Sequence, residues 1–309
     1  MGRRWTRERR IKNPTLKNLL GPRFWLLWLG LGLLRLLIML PFPIQLAIGR
    51  VAGRLLYHLA PKRVSVARRN IEHCFPEQSA KQHEQLTRQH FEALGIALFE
   101  TGLSWWGSDR KIAPLLREIN GLEHLQAAQA EGKGVILLCA HFTDLEIASR
   151  MLLPHASFAA VYRQMNNPLL EYVTAAGRNL HTEEAIPKDN IKRMIKLLRS
   201  GRTIWFASDQ SYKKKNSALI DFFGQPARTA TVVPMISRAG KALVIPFNIA
   251  RVGNGYRIDI LAPWDRYPSG DDIADTRRYN QVIEEQIKQV PEQYLWAHKR
   301  FKGTPGFKY

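Results

Sequence analysis

Cysteine is scarce in this chain, and acidic residues are almost missing from its N-terminal quarter. The 309 residues hold two cysteines, Cys74 and Cys139, with no C-x-x-C and no histidine at ligand spacing. A disulfide framework and a zinc knuckle are therefore excluded, and a reducing compartment fits. Cys139 lies in the apolar run GVILLCA, where a small buried hydrophobe is the simpler reading than a reactive thiol. Residues 1–70 contain one acid, Glu8, against 15 Lys and Arg, so +14 of the total charge of +20 sits there. The chain also lacks internal repeats, low-complexity tracts and a Gly/Ser linker, which excludes a solenoid and a pair of tethered halves. Missing too are G-x-S-x-G, a Walker loop, H-E-x-x-H and a complete G-x-G-x-x-G, and with them the common hydrolases and nucleotide enzymes.

What is present is 45% hydrophobic and 10% aromatic, enough to build a core and to exclude disorder. From Phe24 to Leu40 the chain reads FWLLWLGLGLLRLLIML, interrupted by one charge, Arg35. As a helix this run is about 25 Å long, marginally short for a bilayer span. Pro41 and Pro43 predict a kink or an end near Leu40, although apolar residues continue to Ile48. No small-x-small cleavage site follows, so the segment reads as a retained anchor. Both flanks are basic, which suits a helix held in the cytoplasmic leaflet with Trp25 and Trp28 at the interface and arginines on anionic headgroups. A nucleic-acid arm would not be broken by such a run. The expected organisation is a basic segment over 1–23, a membrane-anchor helix over 24–48 and a catalytic domain over 49–309.

Residues 76–131 carry helical spacing, and the texture changes at Gly132. VILLCA (135–140), FAAVYR (158–163) and TIWFASD (203–209) read as buried strands, separated by helices with Leu145, Ala148 and Leu152, with Leu169, Val173, Ala176 and Leu180, and with Ile191, Met194, Ile195 and Leu198. VVPMISRAG reads as a helix, and ALVIPFNIARV and YRIDILAP as an antiparallel pair before a closing helix with Ile273 to Val290. The class is α/β, with a mixed, mainly buried sheet flanked by helices.

Ligands of open α/β sheets bind at the carboxyl ends of strands, which singles out His141, directly after VILLCA. A neutral imidazole can take a proton from a hydroxyl near pH 7, and a carboxylate on its other nitrogen fixes the tautomer. In HFTDLE the expected carboxylate is Glu146; Asp144 is the rival, placed where a helix cap belongs. On spacing alone a capping histidine and a surface glutamate are the simpler reading of the pair.

HFTDLE resembles the H-x4-D/E block of the glycerolipid-type acyltransferases. Blocks in register along nearly the whole chain resemble their lipid A late acyltransferase branch: RRNIEHCFPE (68–77), GVILLCAHFTDLE (134–146), VYRQMNNPLLE (161–171), IWFASDQ (204–210), FFGQPARTAT (222–231), LVIPF (243–247) and PEQYLWAHKRFK (291–302). The resemblance implies a glycerolipid acyltransferase-like fold and transfer of a fatty acyl group from acyl carrier protein to a hydroxyl on an acyl chain of the Kdo-bearing lipid A precursor. It implies His141 as general base, Glu146 as its orienting partner, and substrate-binding roles for Arg163, Asp209, Arg178, Gly224, Thr229 and Lys213. No cofactor and no metal are expected. The implied partners are the carrier thioester, the lipid A precursor and inner-membrane phospholipids, without nucleic acid, for a monomer whose catalytic domain faces the cytoplasm. A phospholipid or another glycolipid as acceptor, or a non-enzymatic basic membrane binder, are the rival readings. Trp105 and Trp106 read as core fillers rather than as an acyl pocket. Donors for the oxyanion of the transfer are sought at the N–H groups of the helix after His141.

Overall fold

The structure is a computed structural model that describes residues 16–179, 182–211 and 216–309. Two prolines set its first corner. Helix α1 (Trp25–Leu37) stops before Pro41, and α2 (Phe42–Leu59) starts after it with Pro43 in its first turn, where a missing N–H costs no helical bond. Gln45 fixes the corner by donating from Nε2 to the carbonyls of Ile38 and Leu40, at 3.0 and 2.7 Å. The expected anchor over 24–48 is therefore two helices, and the 48/49 boundary falls inside α2. Among the described residues no helix is long and apolar enough to cross a membrane.

Helix α3 (Pro61–Cys74) leads to the long α4 (Ala80–Trp106), which opens on a capping box between Ser79 and Gln82. Helices α2 and α4 touch through glycine: a Cβ on Gly95 would lie 2.1 Å from the Gly49 carbonyl oxygen, and one on Gly53 would lie 2.2 Å from that of Phe91. The helical expectation for 76–131 fails at its end, where α5 (Asp109–Ile112) is followed by strand β1 (Leu116–Asn120) and α6 (Leu122–Ala130). LREIN lies at the sheet edge, half exposed, and so lacks the apolar run of a central strand.

The next elements alternate: β2 (Val135–Cys139), α7 (Leu145–Leu152), β3 (Ala159–Tyr162), α8 (Pro168–Asn179), β4 (Glu184–Pro187), α9 (Ile191–Arg199) and β5 (Thr203–Ala207). After them come the hairpin β6 (Ser217–Phe222) and β7 (Gln225–Ala230), then α10 (Val232–Gly240), β8 (Leu243–Val252), β9 (Gly255–Ile260) and α11 (Asp272–Gln289). Strand β4 and the β6–β7 hairpin were not expected. The main sheet runs β1-β9-β8-β2-β5-β3-β4 and is parallel at every pairing except β8 with β9. It is the expected α/β sheet, mainly parallel and covered by helices.

Alternation along β2 divides the core. Ile136 and Leu138 pack with Ile71, Met194, Ile236 and Ile283 on one face, while Val135, Leu137 and Cys139 pack with Leu103, Leu125, Ile147 and Met151 on the other. Each such side chain contributes roughly 1.5–3 kcal/mol on full burial, which makes this two-sided core the main stabilising element. Trp105 is buried in a third cluster with Leu19, Phe24, Leu31 and Leu169, as a core filler. Cys139 is a buried thiol whose Sγ accepts from Trp205 Nε1 at 2.6 Å; burial pushes its pKa up, away from reactivity.

Candidate active site

Strands β2 and β5 pair with Cys139 opposite Ala207. His141 and Asp209 each stand two residues beyond those partners, so the parallel register itself brings them side by side at the carboxyl end of the sheet. His141 Nδ1 lies 2.5 Å from Asp209 Oδ1, and the His141 backbone N–H donates to the same oxygen at 3.1 Å. The Tyr294 hydroxyl donates to Asp209 Oδ2 at 3.0 Å. Burial alone would raise the Asp209 pKa, but the charge and hydrogen bond of His141, helped by the charge of Arg300, outweigh it and hold the carboxyl at about 2. A permanently ionised carboxylate on Nδ1–H leaves Nε2 as the basic nitrogen, the arrangement a general base requires.

The C-terminal segment clamps this loop. The Leu295 N–H donates to the His141 carbonyl at 3.0 Å, the Thr143 N–H to the Gln293 carbonyl at 2.8 Å, and Phe142 bridges to Tyr294. Tyr294 is a site residue that the sequence reading missed, although it lies in the recognised block PEQYLWAHKRFK.

Glu146 does not hold His141. It stands in the first turn of α7, and its carboxylate is paired with the Arg178 guanidinium through Nε at 3.3 Å and through Nη2. Asp209 takes the orienting role instead, which also corrects its assignment as a substrate ligand. The physical reason is reach: register places Asp209 at the histidine, whereas the start of α7 turns Glu146 toward α8. Asp144 is not the partner either. It is fully buried, and burial and then the Glu100 carboxylate push its pKa well up. Beside it Arg251 and the Tyr256 hydroxyl both donate to Glu100.

His141 lines a cavity of about 610 Å³, within the range of small-molecule sites, with Asp209 behind it. Apolar side chains including Val161, Ile191, Trp205, Phe206, Val232 and Met235 line it together with His141, Glu146 and Arg178. Arg163 and Lys302, both exposed, line it too and add positive charge. Arg178 is thus in the cavity but engaged by Glu146. Gly224 and Thr229 do not line it. Phe223 and Gly224, at φ 53° and 69°, form the two-residue turn of the β6–β7 hairpin, a left-handed conformation that favours glycine. Thr229 is buried, accepting from Arg300 Nη2 at 2.8 Å, and serves as a structural bond. Lys213 lies outside the described residues.

A family model described as "Bacterial lipid A biosynthesis acyltransferase" matches residues 13–303. The chain belongs to that family. Among relatives, the lipid A biosynthesis lauroyltransferase of Escherichia coli (strain K12) is 36% identical over 93% of this chain and 94% of its own length. The lipid A biosynthesis palmitoleoyltransferase of the same organism is 35% identical over 94% of this chain and 95% of its own. A solved 1-acyl-sn-glycerophosphate acyltransferase from Thermotoga maritima aligns at 13% identity and a TM-score of 0.36, covering 79% of this chain and 99% of that one. So distant a likeness adds nothing to the strand order above. As a member of that family, the chain is an acyltransferase of lipid A biosynthesis.

Proposed function

We propose that the chain moves a fatty acyl group from an acyl carrier protein thioester to a hydroxyl on an acyl chain of the Kdo-bearing lipid A precursor, late in lipid A biosynthesis. The observation that carries this reading is His141, paired with Asp209, on a cavity lined by apolar side chains and by Arg163 and Lys302. The apolar walls suit a fatty acyl chain and exclude water. Arg163 and Lys302 suit phosphate or sugar-acid groups of the acceptor.

His141 Nε2 takes the proton of the acceptor hydroxyl while Asp209 steadies the imidazolium that forms. The alkoxide oxygen then attacks the thioester carbonyl. Collapse of the tetrahedral intermediate breaks the C–S bond, and the leaving thiolate takes the proton back from His141. Glu146 and Arg178 act together as a charged strut in the cavity wall.

The site works at the cytoplasmic face of the bacterial inner membrane, held there by α1 and α2. Leu26, Leu29, Leu33 and Leu36 are 54 to 82% exposed and share one face of α1, and Ile44, Val51, Leu55 and Leu59 are exposed on α2. Withdrawing a leucine from water contributes roughly 1.5–3 kcal/mol, against about 1 kcal/mol for each basic residue at an anionic surface. The apolar faces dominate, and Arg50, Arg54 and Lys62 add to them, in support of a one-leaflet attachment.

The test is transfer in vitro by detergent-solubilised protein, with radiolabelled Kdo-bearing precursor and a panel of acyl carrier protein thioesters, beside His141→Ala. Acylated product from wild type, lost by roughly 10³-fold in the variant, is the expected result. No product from any donor, in folded protein, would overturn the reading and move the search to glycerolipid acceptors.

A further inference from the structure

Strands β3 and β5 pair over only two rungs, Ala159 with Ile204 and Ala160 with Trp205. Each strand runs on for two more residues with its other neighbour, β5 beside β2 as far as Cys139–Ala207 and β3 beside β4 as far as Tyr162–Pro187. Past the second rung the sheet therefore opens between them. The cavity lies at that opening. Val161 and Tyr162 of β3 and Phe206 and Ala207 of β5 line it, the rung Ala160–Trp205 lines it, and no earlier residue of either strand does. A gap in a sheet takes walls from both faces of the sheet, and here the two walls differ in chemistry.

On one face Val161, Ile191, Phe206, Val232 and Met235 pack with the Ile136–Leu138 core, and all five are uncharged. Lys188 and Asp189, the charged lining residues next to Ile191 in sequence, come only beyond the carboxyl end of β4. On the other face Leu145, Trp205 and Ala207 pack with the Leu137–Cys139 core, and α7 adds Glu146, paired with Arg178. An acyl chain gains by leaving water along the first wall. Along the second it would take water from an ion pair and return no hydrogen bond.

The uncharged wall has a defined lower end. Helices α9 and α10 lead into β5 and β8, both parallel to β2, so the helices start at the carboxyl ends of the strands and descend toward their amino ends. Leu198, near the end of α9, meets both Gly134, just before β2, and Gly240, the last residue of α10, as that direction requires. Of these two helices only Ile191, Val232 and Met235 line the cavity. Met235 is the deepest of them on α10, about 4.5 Å below Val232 along the helix axis. It is partly exposed, whereas Val233 and Ile236 on the same helix are buried in the core.

We propose that the fatty acyl chain of the donor thioester lies along this uncharged wall and that Met235, at its lower end, sets the chain length the enzyme prefers. The assignment rests on the acyl-transfer reading above. An unbranched, flexible thioether is suited to close an irregular apolar end.

The full-length detergent-solubilised protein is assayed for kcat/KM with saturated acyl carrier protein thioesters from octanoyl to hexadecanoyl and radiolabelled Kdo-bearing tetra-acyl precursor, alongside a thermal melt. Met235→Ala, which cuts the side chain back, is expected to move the optimum to a longer chain, and Met235→Trp, which fills the end, to a shorter one. One methylene too many or too few in an apolar pocket changes kcat/KM roughly 10- to 200-fold, so the ratio between the donors on either side of the wild-type optimum should move at least about tenfold, in opposite directions in the two variants. Ala160 faces the other wall, because Ala159 packs with the Ile136 core, and Ala160→Val is expected to leave the optimum in place. If Met235→Trp does not fold, the shift in Met235→Ala together with the unmoved optimum of Ala160→Val sustains the assignment. Any other pattern overturns it, including a uniform loss on every donor or an optimum moved by Ala160→Val. A wild type without turnover on any donor overturns the acyl-transfer reading, and this assignment with it; turnover with an optimum that Met235 does not govern overturns the assignment alone.

Discussion

The α1–α2 pair and the carboxyl ends of β2 and β5 invert the usual partition of side chains in opposite ways. On α1 and α2 leucines stand in the open, Leu26 at 82% exposure and Leu59 at 79%. At the strand ends ionisable and polar groups are buried, with Asp209 at 2% and Asp144 at 0%. Each inversion costs folding free energy, and each is supported by contacts that do not depend on it. Helix α2 is locked to α4 through Gly49, Gly53 and Gly95, α1 packs Leu34 against Gly102 of α4, and the strand ends are held by sheet register and the C-terminal clamp. A misplaced group on a rigid support points to a partner.

The comparison breaks most sharply at Asp209. Asp209→Asn is expected to lower kcat by roughly 10²–10⁴-fold through loss of the oriented imidazole, and Glu146→Gln by only about tenfold, because Glu146 serves Arg178. Steady-state kinetics of the two side by side decide this; equal losses would return Glu146 to the histidine. On the helices, Leu26→Gln, Leu29→Gln and Leu33→Gln combined should weaken binding to anionic phospholipid vesicles by at least about 10²-fold, given roughly 1.5–3 kcal/mol for each leucine. Turnover in detergent should stay within about twofold, and vesicle sedimentation that shows unchanged binding removes the membrane role from this face.

A smaller effect tests the glycine lock. Gly95→Ala puts a Cβ against the Gly49 carbonyl, and overpacking of this kind costs roughly 1–3 kcal/mol, a fall of about 2–10 °C in thermal midpoint. An unchanged melt would show that α2 can shift away without loss.

A last effect is on pH dependence. His90 and His298 are each held neutral by burial, with pKa values of about 4 against an ordinary value near 6.5. Between those values the unfolded chain binds more protons, so stability is complete above about 6.5 and falls as pH drops toward 4. Urea unfolding of wild type at pH 7 and pH 5 should show that loss, and His298→Gln should reduce its slope by up to one proton. A slope unchanged in the variant would mean that His298 already titrates normally in the fold.

Much of this was legible in the residues, and the failures have physical causes. VILLC and TIWFA announced themselves as buried strands because both faces of a parallel strand are covered, and prolines 41 and 43 announced a corner. Strand β1 did not, because an edge strand needs no apolar run. The β6–β7 hairpin turns on Phe223 and Gly224, a pair without the usual Asn-Gly or Asp-Gly signal. At the site, His141 was found from its place after a strand. Asp209 was noticed for the same reason and then given to the substrate, since nothing in a linear order says which strand lies beside β2. The clue was that both residues stand two positions past their strands' last residues.

The sequence by itself determined the α/β class, the family, the apolar N-terminal helices and the histidine, because periodicity, local chain breaks and block order are properties of neighbours along the chain. Only the tertiary structure decided that Asp209 rather than Glu146 contacts His141, and that the expected anchor segment is two helices set against α4. These are contacts between residues distant in sequence, His141 and Asp209 being 68 positions apart, created by strand pairing and chain return, and no local pattern encodes them.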